Sequence, residues 1–142
     1  MDSLRKFLAL GGSEQWLLVQ AFVRLLGVSA RLRLHSPAWL KASLQPSDTP
    51  AVPHAAGHDP RRIVWAVDIA GRYVPGCTCL VSAVAAQHML ARQGCPAAVR
   101  IGVSRDSGSL LKAHAWLESE GRILMGGATQ EQYQPLSPSP QK

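Results

Sequence analysis

Residues 79–125, CLVSAVAAQHMLARQGCPAAVRIGVSRDSGSLLKAHAWLESEGRILM, change their hydrophobic period once, and that change decides the fold. From Cys79 onward, Leu80, Ala83, Val84, Gln87, Leu90 and Ala91 recur at helical spacing, and Gly94 and Pro96 end the run. Beyond Ala98 the period falls to two, with Val99, Ile101 and Val103 alternating with Arg100, Gly102 and Ser104. Asp106-Ser107-Gly108 supplies turn residues, a second strand covers Leu111 to Ser119, and Glu120-Gly121 is a two-residue turn into a third strand, Arg122 to Met125. The expected unit is a helix packed on a small antiparallel sheet, so the class is α+β.

Upstream, the pattern is helical. Trp16, Leu17, Leu18, Ala21, Phe22, Leu25 and Leu26 follow Ser13 at i, i+3 and i+4, and Gly27 is read as the stop. Ser36-Pro37 opens a second, short helix through Trp39, Leu40 and Leu44, because a serine cap followed by proline suits a first turn. Residues 46–60, PSDTPAVPHAAGHDP, hold four prolines and a glycine and are expected to form a loop. Asp59-Pro60 repeats the capping signal before a third helix that carries Ile63, Val64, Ala66, Val67 and Ile69 and ends near Gly71.

The 142 residues suit one domain, expected over residues 1–136: a helical part over 1–78, the helix and sheet over 79–136, and a flexible tail at 137–142. With 46% hydrophobic residues the chain can form a core without disulfide or metal staples. The net charge of +6 comes from 15 Lys and Arg scattered from Arg5 to Lys142, without the basic, aromatic-rich motif of a nucleic-acid binder. Three cysteines and no secretory leader point to a reducing, cytoplasmic setting. Apolar stretches such as Trp16 to Val19 are far below the ~18 residues of a membrane span.

Two residues stand out chemically. Cys79 lies in the first turn of its helix, where backbone N–H groups and a partial positive charge stabilise a thiolate and suit an oxyanion. The alternative is a small buried hydrophobe. His114 shares a strand face with Trp116 and Glu118, opposite Ala113, Ala115 and Leu117. A cleft lined for a peptide would use such a face, and a solvated histidine is the plainer alternative. A cysteine opening a helix and a histidine on a later strand are the types that pair as nucleophile and base. Zinc is disfavoured, since Cys77-Thr78-Cys79 lacks the usual two-to-four-residue spacing and Cys95 has no cysteine near it in sequence. No metal or cofactor is expected.

The segments CLVSAVAAQHMLARQGCPAAVRIGVSRD, KAHAWLESEGRILMGG and QYQPL together resemble the lasso peptide leader peptidases, standalone cysteine proteases of the transglutaminase-like superfamily. The resemblance is loose over residues 13–136 and close over 79–136. It implies that Cys79 attacks the bond joining leader to core in a ribosomal precursor peptide, with His114 as general base and then acid. It also implies two partners, a small leader-recognition protein and an ATP-dependent macrolactam cyclase. An inactive scaffold that binds precursor or cyclase, or an acyltransferase, are the alternatives, and Trp116, with Tyr73 and Arg72, is read as lining an acyl or leader groove.

The superfamily adds an aspartate on the strand beside the histidine, and here the chain departs from it. A two-residue turn at Glu120-Gly121 sets His114 opposite Gly127, and a one-residue register change brings Gly126 or Ala128 there instead. Glu118 is four residues along the strand, about 13 Å away at ~3.3 Å per residue, too far to reach the ring. Thr129, a backbone carbonyl, water, Asp68 or Asp106 remain as groups that would orient the imidazole.

Overall fold

A computed structural model describes Arg5, residues 8–34, Ala38, and residues 59–105, 111–127 and 134–135. Its described residues include the helices α1 (Gly12–Leu34), α2 (Pro60–Gly71) and α3 (Cys79–Ala91) and the strands β1 (Ala98–Arg105), β2 (Leu111–Ser119), β3 (Arg122–Met125) and β4 (Gln134–Pro135). The α+β class expected from the sequence is what is found. Except for Ala38, the short helix expected from Ser36 lies outside the described residues, as does the proline-rich segment before Asp59.

The helix starts follow their caps. The Asp59 carboxylate accepts from Arg61 N–H ahead of Pro60, and the Thr78 hydroxyl accepts from Val81 N–H at the start of α3. Each such cap stabilises by about 1 kcal/mol. α1 differs from its expected length, because Gly27 does not end it. An internal glycine costs only about 1 kcal/mol relative to alanine. Burial of Leu25 and Val28 on either side of it offsets that and carries the helix to Leu34.

The buried stripe of α1 is Leu17, Leu18, Ala21, Leu25 and Val28, packed with Ile63, Ala66, Val67 and Ala70 of α2 and Ala83, Val84 and Leu90 of α3. Trp16, Phe22 and Leu26, expected on the same face, are instead exposed. An ion pair between Arg62 and Glu14 ties α2 to α1.

The sheet is antiparallel throughout, in the order β3-β2-β1-β4. Val99, Ala115 and Leu117 join the helical core, and the buried Gln87 amide of α3 donates to Ala97 O at 3.1 Å, fastening that helix to the start of β1. Glu120 and Gly121 both have positive φ, 50° and 74°, the backbone of a tight hairpin turn that matches strand twist. A bulge follows: Leu117 pairs with Met125 but Glu118 pairs with Ile123, so β3 holds one extra residue. No helix among the described residues is long and apolar enough to cross a membrane.

Candidate active site

Cys79 is the first residue of α3, directly after the capping Thr78, and it is exposed. It is therefore not the buried hydrophobe that small size alone would suggest. Its neighbour in sequence behaves differently. Cys77 is half-buried, and its Sγ lies 3.3 Å from Ser82 Oγ, against Gly71, where an added Cβ would stand 3.4 Å from that sulfur. Cys95 is half-buried, with its thiol 4.0 Å from Gln93 O.

His114 sits in β2 opposite Gly102 of β1, a residue with no side chain to crowd the ring. It is half-buried and not a solvated surface histidine. Its Nε2 is 2.8 Å from Gly126 O. A carbonyl oxygen only accepts, so Nε2 carries the hydrogen and, in the neutral ring, Nδ1 carries the lone pair. A backbone carbonyl, one of the groups left open by the sequence, thus accepts from the imidazole.

The bulge explains how. The extra residue in β3 shifts the strand beyond Met125, and Gly126 turns there with φ of 80°. A Cβ on Gly126 would come within 3.0 Å of Ala115 O and 3.1 Å of Trp116 Cβ, so only glycine lets the chain lie this close to β2. Gly127 is less constrained: it is not in the left-handed region, and an added Cβ would press on Ile123 Cγ2 at 3.0 Å.

Trp116, read from the sequence as a groove-lining residue, is 2% exposed, and its ring stacks with the imidazole at 6.4 Å between centroids and 25° between planes. It buttresses the ring of His114. Glu118 pairs with Arg100 Nε at 3.6 Å, and Asp68 pairs with Arg72 on the exposed side of α2 at 3.0 Å, so both carboxylates are engaged elsewhere. Tyr73 is exposed. Asp106 and Thr129 lie outside the described residues.

The structure therefore brings together His114, Trp116 and Gly126, and sets Cys79 at the solvent-facing start of α3, the helix that packs on β2. Among the described residues no hydrogen bond joins Cys79 to His114. A carbonyl was among the groups open from the sequence, but nothing in the residue pattern announced the bulge that selects it.

Residues 22–138 match a family model described as Transglut_core3, transglutaminase-like superfamily. No curated protein and no solved structure matches the chain.

Proposed function

Because the chain belongs to the transglutaminase-like superfamily, we propose that it is a cysteine peptidase that removes the leader from a ribosomal lasso peptide precursor. The observation that carries this reading is the held tautomer of His114. With Nε2–H given to Gly126 O, Nδ1 is the ring nitrogen that would take a thiol proton. Cys79 supplies an exposed sulfur at a helix start, next to N–H groups suited to an oxyanion.

The reaction then runs in two halves. Nδ1 takes the Cys79 proton as Sγ attacks the scissile carbonyl, and the resulting imidazolium returns that proton to the leaving amine as the C–N bond breaks. The acyl group stays on sulfur as a thioester. A water molecule, deprotonated by Nδ1, attacks the thioester and releases the leader carboxylate, and the proton returns to the thiolate. Catalytic pairs commonly close to hydrogen-bond distance only with substrate in place, and precursor binding is where we place the approach of Cys79 to His114. The partners of this reading are the precursor, a leader-recognition protein that presents it and an ATP-dependent macrolactam cyclase, all in the cytoplasm. No cofactor takes part.

Mass spectrometry of a precursor incubated with its recognition protein and this chain tests the reading. Cleavage at the leader–core junction that disappears in Cys79→Ala supports it, and cleavage that persists in that variant overturns it. A second reading, a binding scaffold of the same fold, is favoured by the lack of a hydrogen bond between Cys79 and His114 among the described residues. It predicts that iodoacetamide labels Cys79 no faster than it labels Cys77 or Cys95.

A further inference from the structure

The outer side of α1 carries apolar side chains among its polar ones. Trp16, Val19 and Val23 follow one another at helical spacing and are 62%, 43% and 61% exposed. Large apolar side chains grouped on a surface and rimmed by polar residues mark interaction sites. Here these side chains, with Met89 of α3, floor a groove of about 700 Å³ between α1 and α3.

Its charge is one-sided. Arg24 and Arg31 of α1 and Arg92 and His88 of α3 line it, and no lining residue is acidic. Arg24 and Arg92 form no ion pair among the described residues. Gln93 also lines the groove. From Trp16 to Arg31 the groove runs along about 22 Å of helix at ~1.5 Å per residue, the length of a four-turn helix.

We propose that the groove between α1 and α3 is a docking site for an acidic amphipathic helix of a partner protein. Apolar side chains of the guest, at i, i+3 or i+4 and i+7, cover Trp16, Val19 and Val23, while carboxylates on its flanks meet the guanidiniums. A second copy of this chain does not fit, because its own α1 carries Arg24, Arg31 and Arg33 and would bring cation to cation. The site uses neither Cys79 nor His114 and lies beyond the proposed peptidase reading: His88 is nine residues after Cys79, about 13 Å further along α3.

Gly27 offers a clean test, since a Cβ there meets nothing within 4 Å and a large side chain would project into the groove without crowding the fold. The probe is a fluorescein-labelled synthetic helix with leucines at the apolar positions and glutamates between them, compared by anisotropy with the same helix carrying lysines. We expect the glutamate helix alone to bind and its affinity to fall as salt rises. Arg24→Glu with Arg92→Glu should weaken it about tenfold or more. Gly27→Trp should block it with Tm retained. Equal binding of both helices, or wild-type affinity in the charge-reversed variant, overturns the proposal. So does binding to phosphatidylcholine–phosphatidylserine vesicles without affinity for the glutamate helix, or dimerisation that Gly27→Trp abolishes.

Discussion

At the sheet, His114 is held by a main-chain carbonyl, a stacked indole and a glycine that permits close approach; in the α1–α3 groove, three guanidiniums and an imidazole stand over a floor of tryptophan, valine and methionine. The first arrangement is made by backbone and tolerates little local change. The second is made by long side chains on two rigid helices, so its charge can be altered without moving the fold. Salt separates them as well, since a half-buried hydrogen bond to a neutral carbonyl is screened less than guanidiniums that line an open groove.

The largest effect should come from the sulfur. Cys79→Ala is expected to lower precursor cleavage by about a thousandfold or more, with Tm unchanged, because the side chain is exposed at a helix start. Loss of Tm in that variant would mean that Cys79 has a packing role.

Gly126→Ala comes next. A left-handed φ costs an ordinary residue about 1–2 kcal/mol, and here a Cβ also presses on Ala115 O and Trp116 Cβ. A fall in Tm of roughly 5–10 °C is expected, with kcat falling further than Gly127→Ala because the carbonyl that orients His114 is displaced. Equal effects of the two substitutions would break the distinction between them.

A smaller effect belongs to the groove. Burial, then Arg24 and Arg31, hold the His88 pKa below its ordinary 6.5. The unfolded chain therefore binds this proton more readily than the folded one. Stability is unaffected by His88 well above pH 6.5 and is lost as pH falls through 6.5 and past the folded value. Urea midpoints measured across that window should fall less steeply in His88→Gln than in the wild type.

The smallest is Gly27→Ala. It should raise stability by about 0.5–1 kcal/mol, read as a slightly higher Tm, since α1 passes through this position without a turn.

These regions were unequally legible in the sequence. The bounds of β2 and β3 follow from the period-two run and the Glu120-Gly121 turn, the start of α2 from the Asp59-Pro60 cap and that of α3 from the helical period that opens at Cys79, because such signals are local. Gly27 misled because a weak local penalty was outweighed by the burial of Leu25 and Val28, which depends on partners distant in sequence. Cys79 and His114 stood out by residue type and position. The group that orients His114 did not, since one extra residue in β3 decides it. The groove was hidden for a similar reason: apolar residues on both sides of α1 read as a single stripe until α2 and α3 cover one side.

The hydrogen bond to Gly126 O has a consequence for how this chain is probed. A scan that truncates side chains one at a time passes over a main-chain oxygen, so the contact of this imidazole with Gly126 O escapes it. Since an amide oxygen has no proton to gain across the ordinary acid range, the tautomer of the imidazole is set by a group that acidification does not switch off.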